Sequence, residues 1–437
     1  MSEPRTIRGR ATSAEPWPEW IGPGTGAMKE LLRESLKRPS VSGDETDFVR
    51  FIEGWARAQG FETDLWETDE ARLTQYPEQH LKHIPLAGRP TLVVRLPGRG
   101  AGRSLLFNAH ADVVAPGEPQ TWRLGPWSGA EEAGRFYGRG ACDAKGPLIA
   151  GLWAMVALRQ ARPEGPAGEV LLELVPGEED CVGLGTLTSL VRGWRADAMV
   201  VLEPTLGTPY AASRAGCRFE IVCHGRAIHG TIKWLGVDAI NLMRAVLDAL
   251  KRLELRWNDR AADARFNEYP IMRPVTVDSV HGGGWQGMVC ARCACTGYFE
   301  LLPGDDLKAW EARLEQELRG ELTGVLPEPQ SLELRFSEEY PGHSVPDDDP
   351  VSRLALEIMK KYNSQPRGGE PRLGALNSGC EAGLRAGLQG TPTLVWGPGN
   401  LIQAHAADEF VEFADVQRTA TMLAEFAARW TDEREFA

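Results

Sequence analysis

Three short apolar runs in this chain each end close to a residue able to hold a metal, and that recurrence limits the folds open to it. Ser104–Phe107 leads into NAHADVV, with His110 and Asp112. Glu169–Val175 (EVLLELV) ends at the Glu178–Glu179 pair of VPGEED, and Ala198–Leu202 ends at Glu203. His405 follows the glycine-rich turn of GPGNLIQAHAADEF. Helical patterns lie between them, above all Lys145–Gln160 (KGPLIAGLWAMVALRQ) directly after Asp143. Strand, site residue and helix in repetition is the α/β arrangement, in which ligands gather at the carboxyl ends of strands.

At 437 residues the chain exceeds one simple core. Its character changes near Ser213. Cys217–Cys223 and Met288–Leu301 read as strands, and Gly236–Leu253 and Leu307–Leu318 as helices, before a proline break at Leu326–Pro329. The expected organisation is a catalytic α/β domain in two parts, residues 1–212 and 329–437. Its mixed sheet is flanked by helices and interrupted at 213–328 by an inserted α+β domain of four strands and two helices. Ahead of these, residues to about Gly26 read as an extended arm, followed by helices over Met28–Leu36 and Glu45–Gly60.

A net charge of −13 argues against nucleic acid or an anionic membrane as partner. No run approaches the length of a membrane span. The opening MSEPRTIRGRATSAEPWPEW lacks the apolar core of a secretory signal, so the cytoplasm is the expected location. The eight cysteines show no disulfide-framework spacing. Cys290 and Cys293 form a CxxC without the partners of a zinc knuckle, and the alternation of that run makes Cys293 and Cys295 core thiols.

Each site residue has a plain alternative. His110 and Asp112 share a face of an extended segment, as a ligand with its orienting acid or as a buried histidine satisfied by a neighbour. Asp143, between Gly140 and Gly146, fits a metal turn or a helix cap; a phosphate loop would need a different glycine spacing. Two adjacent carboxylates at Glu178–Glu179 repel unless a cation neutralises them, although an exposed acidic turn would tolerate the pair. Glu203 alone is a loop acid and His405 alone a surface histidine. Their joint occurrence at successive strand ends points to a centre with two divalent metals.

These motifs, with VLEPT and GRAIHG…GVDAI, run in order from about Leu105 to Phe410 and resemble the M20 metallopeptidase and amidohydrolase family. The likeness is greatest to its acetylornithine deacetylase and succinyl-diaminopimelate desuccinylase branch. The resemblance implies a zinc-peptidase-like fold whose inserted domain makes a homodimer. It implies two ions, Zn2+ with Co2+ or Mn2+ as alternatives, bridged by Asp143. His110 and Glu203 complete one ion, and Glu179 and His405 the other. Asp112 fixes the tautomer of His110, Glu178 is the general base, and His229 stabilises the oxyanion from the partner subunit. The activity implied is hydrolysis of an N-acylated amino acid or similar small amide, with a di- or aminopeptidase, or a deaminase, as the alternative on the same centre. A silent ligand-binding paralogue and a nucleotide-binding α/β protein are the readings from other classes. Where many relatives carry an arginine for a substrate carboxylate, this chain has Tyr298 or Phe299. Arg292 and Arg372 are the substitutes considered, and Glu381, in NSGCEAG, is expected to line the pocket. His80 and His83 match no family position and are expected at the surface.

Overall fold

The computed structural model describes residues 24–68, 72–73, 76, 85–100, 102–180, 182–258, 263–362 and 370–432. The expectations for the N-terminal arm before residue 24, for His80 and His83 and for Cys181 lie outside the described residues.

Helices α1 (Thr25–Leu36) and α2 (Thr46–Ala58) come first, each burying one apolar stripe. Strands β1 (Glu62–Trp66), β2 (Thr91–Leu96) and β3 (Leu105–His110) follow. A small hairpin, β4 (Ala130–Glu132) and β5 (Arg135–Tyr137), then leads to helix α3 (Gly146–Ala161). After it come β6 (Val170–Val175), α4 (Leu184–Arg192), β7 (Ala198–Val201) and β8 (Tyr210–Ser213). The β3 strand is longer than the apolar run because the Asn108 amide nitrogen is paired inside it, donating to Glu173 Oε1 and Thr186 Oγ1, both at 2.7 Å. His110 is therefore the last strand residue, not one beyond it.

The inserted unit holds β9 (Ala215–His224), α5 (Ala239–Arg256), β10 (Val275–Gly282), β11 (Arg292–Leu301), α6 (Leu307–Glu321) and β12 (Leu332–Tyr340). Its sheet is antiparallel in the order β10-β11-β9-β12. The unit therefore runs past the expected boundary at residue 328. LELRFSEEY is a half-buried strand pairing with β9, and Pro329 only opens the turn before it. One sheet face packs with α5 and α6 into a separate core that includes Phe219, Phe299 and Trp257.

The chain returns through β13 (His343–Ser344), α7 (Pro350–Lys361), β14 (Gly374–Leu376), α8 (Ala382–Gln389), β15 (Thr393–Val395), β16 (Phe410–Glu412) and α9 (Phe413–Asp432). Among the described residues the large mixed sheet has nine strands, in the order β1-β2-β6-β3-β7-β15-β8-β13, with β14 beside β8. At its centre β6, β3, β7 and β15 run parallel. These strands are wholly buried, which is why they read as continuous apolar runs and not as alternation. Helix α3 is buried from Gly146 to Leu158 and packs against α9. Contrary to the expectation from sequence, Ala141–Ala161 is long and apolar enough to cross a membrane, but its apolar window is entirely inside the protein. Among the described residues the seven cysteines are free and buried, Cys293 and Cys295 in the inserted core.

Candidate metal centre

The carboxyl ends of the four parallel strands open onto one spot. His110 ends β3, Glu178 and Glu179 follow β6, Glu203 follows β7, and the loop carrying His405 follows β15. Asp143 arrives from the turn ahead of α3. His110 Nε2 lies 3.2 Å from Asp143 Oδ1 and 3.7 Å from Glu203 Oε1. On the other side His405 Nε2 lies 3.1 Å from Glu179 Oε2 and 3.5 Å from Asp143 Oδ2. Two triads result, His110–Asp143–Glu203 and Asp143–Glu179–His405, with ligand atoms in each within 4.8 Å of one another. Asp143 belongs to both. Glu178 joins a further grouping with His110 and Glu179.

Electrostatics favours cations here. Burial pushes the Glu178 and Glu203 carboxyls well above the ordinary range, opposed by His110 and reinforced by neighbouring acids. Glu179 is raised for the same first reason, with Asp143 adding to it. Burial also works against the charged forms of His110 and Asp143. The acids around His110 still hold it well above its usual value, and His110 and His405 hold Asp143 below its own. Four carboxylates and two imidazoles in a buried site form an oxygen–nitrogen donor set that fits zinc-type divalent ions.

Further carboxylates brace this set. His110 Nδ1–H donates to the backbone carbonyl of Asp112 at 2.9 Å, which leaves Nε2 as the free lone pair. The Asp112 carboxylate, 3.7 Å from Nδ1, instead accepts the backbone N–H groups of Glu178 and Glu179, both at 3.1 Å, and the Ser42 hydroxyl at 2.9 Å. Glu409, fully buried, accepts from Cys142 N (2.8 Å), Asp143 N (3.1 Å), Gly140 N (3.1 Å) and Arg139 Nη1 (2.7 Å), and so ties the Asp143 turn to the His405 loop. Arg89, also buried, clasps Glu45 and reaches Asp180 at 3.1 Å, beside the Glu178–Glu179 pair. Sequence reading missed Glu409, Glu45 and Arg89. Only Glu409 carried a signal, as an acid four residues after His405 in the same motif.

A cavity of about 430 Å³ opens over the triads. Its floor includes Asp143, Glu178, Glu179, Glu203 and His405, and its opposite wall Tyr298, Glu300, Glu338 and Tyr340 of the inserted sheet. Tyr298 faces the cavity and Phe299 the inserted core. Three residues expected at the substrate lie elsewhere. Arg292 is exposed and 3.6 Å from Glu220, and Arg372 is exposed and 3.1 Å from Glu268. Glu381 is buried and accepts the N–H groups of Gly183 and Thr186 at the start of α4. Burial lifts its carboxyl to about 7. The pocket edge at that loop is formed instead by Ser378 and Gly379. His229 is exposed and is not among the residues lining this cavity, its Nδ1 held by the Thr231 hydroxyl at 2.8 Å.

The model of the M20/M25/M40 peptidase family matches residues 106–429, a span containing all of these strand-end residues. The chain belongs to that family. It is a metal-dependent hydrolase. The N-formyl-4-amino-5-aminomethyl-2-methylpyrimidine deformylase of Halalkalibacterium halodurans is 26% identical over 411 residues, 89% of this chain and 90% of that protein. The acetylornithine deacetylase of Proteus mirabilis is 26% identical over 402 residues, 90% of this chain and 94% of its own length. Among solved structures, the di-peptidase Dug1p of Saccharomyces cerevisiae superposes with a TM-score of 0.73 at 13% identity, covering 95% of this chain and 98% of that one. The YXEP protein of Bacillus subtilis, a dinuclear metal-binding peptidase of the family, superposes with a TM-score of 0.62 at 16% identity, covering 92% and 98%. Both structural likenesses bear on the fold.

Proposed function

We propose that the chain is a deacylase, cleaving the amide between a small acyl group and the nitrogen of a small molecule. The observation that carries this reading is Asp143, shared by two ligand triads on the floor of a cavity with Glu178 beside them. The names of the two relatives, a deformylase and a deacetylase, support small acyl groups.

In this reading the two triads would each hold one ion, His110 and Glu203 on one side and Glu179 and His405 on the other, with Asp143 common to both. Two zinc-type ions, when bound, polarise the scissile carbonyl and lower the pKa of the attacking water. Glu178 takes the proton from that water and returns it to the leaving nitrogen, a role suited to a carboxyl raised by burial. Asp112 holds both His110 and the Glu178–Glu179 turn. His229, with its Nδ1 engaged, offers Nε2 to the oxyanion of a partner subunit's site. A homodimer through the inserted unit is supported by the apolar side chains it exposes around His229, namely Trp234, Leu235, Trp285 and Met288. Free, buried cysteines support a reducing, cytoplasmic location.

The test pairs elemental analysis with hydrolysis of a panel of N-formyl and N-acetyl amines and amino acids. About two metals per chain are expected, and Glu178→Gln should retain them while kcat falls by roughly 10²–10⁴-fold. A chain that takes up no metal after reconstitution, or a fully active Glu178→Gln variant, would sink the mechanism.

A further inference from the structure

The cavity wall opposite the triads is one face of the inserted sheet, and strand register decides what it presents. Tyr298 stands across from Arg218, Glu300 from Gly216, and Gly216 from Tyr340. By strand alternation Tyr298, Glu300 and Tyr340 face the cavity, while Cys217, Phe299 and Leu301 enter the inserted core. Position 216 favours glycine, because a Cβ there would lie 2.7 Å from the Phe299 backbone carbonyl oxygen and 2.5 Å from Tyr340 Oη. That hydroxyl crosses the gap to donate to Glu300 Oε1 at 2.9 Å. Glu300 Oε2 is buried with no hydrogen-bond partner. Burial lifts this carboxyl to about 7.

Glu338 reaches the same wall by a different device. The register of β12 slips between Ser337 and Tyr340, and Glu338 adopts a φ of 49° there. A bulge of this kind re-aims a side chain, and Glu338 lines the cavity with one oxygen 3.4 Å from the Tyr298 hydroxyl.

Among the described lining residues the one basic side chain is His405, which already belongs to a triad. The nearby arginines are not among the described residues that line the cavity. Arg218 donates to the Tyr298 hydroxyl at 2.5 Å and lies 3.3 Å from Asp278. Arg214, whose charge acts on Glu300, donates through Nη2 to the Ile271 carbonyl at 2.7 Å while its Nε is buried without a partner, and Arg89 holds Glu45 and Asp180. A substrate carboxylate entering here would meet Asp180, Glu300 and Glu338, with no lysine or arginine among the described residues that line the cavity. An ammonium or an N–H-rich group would meet acceptors, one of them unpaired.

We propose that this enzyme selects amides whose amine portion carries no carboxylate, and that Glu338 and Glu300 receive a cationic or N–H-rich group on that portion. The inference rests on the deacylase reading and narrows its substrate class.

The test uses three probes with the same acetamide and the same four-carbon chain: N-acetyl-1,4-diaminobutane, Nα-acetylornithine, which adds a carboxylate, and N-butylacetamide, which lacks the second nitrogen. Binding is measured by calorimetry on full-length, zinc-loaded Glu178→Gln protein, so that turnover does not interfere. The diaminobutane derivative should bind about tenfold tighter than either of the others. Adding Glu338→Gln should remove that advantage. Tyr298→Arg, which places a guanidinium on the wall, should move the preference toward Nα-acetylornithine. The proposal is overturned if Nα-acetylornithine binds as tightly as the diamine derivative, if none of the probes binds, or if Glu338→Gln leaves the order unchanged. Hydrolysis by the wild type, measured in parallel, separates the two readings. Turnover with the wrong order sinks only this selectivity, and the right order without turnover on any amide sinks only the deacylase assignment.

Discussion

The floor and the wall of the cavity are built by different means. On the floor, parallel strands stop at one level and hand over to loops, and two of the site segments are pinned by buried carboxylates accepting backbone N–H groups. Asp112 accepts from the Glu178–Glu179 turn after β6, and Glu409 from the Asp143 turn ahead of α3. On the wall, the chain does not stop. Antiparallel strands run past the site, and alternation alone sends each side chain to the cavity or to the inserted core. Damage to the floor should therefore show in metal affinity and chemistry. Damage to the wall should show in ligand preference or in the stability of the inserted unit, depending on parity.

Neighbours on one strand give the sharpest test of that difference. Phe299 is 1% exposed in the inserted core and lies edge-on to Phe336 at 6.1 Å between ring centroids. Phe299→Ala should destabilise the protein by about 3–5 kcal/mol. Tyr298→Phe, one residue earlier, should cost only about 1 kcal/mol for its hydroxyl hydrogen bonds. Urea unfolding gives both numbers, and elemental analysis should show full metal content in each. A Phe299→Ala protein that folds but loses its metal would mean that floor and wall are not separable.

The seam between the two regions supplies a pH-dependent test. His343 sits in β13, just after the last inserted strand, fully buried, with Nδ1 accepting from Ser213 Oγ at 2.8 Å and Nε2–H donating to the Thr393 carbonyl at 3.1 Å. Burial lowers its pKa from 6.5 to about 4. The fold thus favours the neutral ring, so its contribution is complete above pH 6.5 and is lost as pH falls through that value towards 4. The full span corresponds to about 3 kcal/mol. Urea unfolding of the metal-free protein between pH 7 and pH 4 should show wild type losing more stability than His343→Gln, whose amide can make both hydrogen bonds without titrating. Parallel slopes for the two proteins would show that a neutral imidazole does not hold the seam.

These regions also differed in how far the sequence revealed them. The floor was readable because most of its residues stand at the ends of apolar runs, and periodicity marks such ends. His110, Glu178, Glu179 and Glu203 follow such runs, and they lie with His405 and with Asp143, from a glycine-flanked turn, in the overlapping groupings of the floor. The wall was not readable. An alternating strand has two faces of equal standing in the sequence, and Tyr298 and Phe299 could not be told apart until register and the packing of α5 and α6 chose between them. Glu338 depends on a bulge that leaves no mark in LELRFSEEY. Arg292 and Arg372 were attractive as free cations, but charge alone does not say which surface a long side chain reaches. Glu381 stood in the right loop, yet its carboxylate serves the start of α4, as acceptors placed near helix N-termini do. The end of the inserted unit was misjudged because a proline was read as a boundary, although it only begins the turn into the last strand.

Glu409 is where the logic of the floor can be tested with the smallest change. Its oxygens accept in pairs, Oε1 from Cys142 N and Asp143 N, and Oε2 from Gly140 N and Arg139 Nη1. Glu409→Gln keeps the size but turns one acceptor into a donor, so one of the two pairs must face N–H against N–H. Either way the turn carrying Asp143 has to move, and Asp143 serves both triads. Metal affinity, measured by competition with a chelator, should fall by about 10–100-fold, as for other residues that orient ligands from behind. Both ions should weaken together, because the displaced residue is shared. Loss of one ion alone would show that the triads are braced independently, and that Asp143 is held by its own helix and not by the His405 loop.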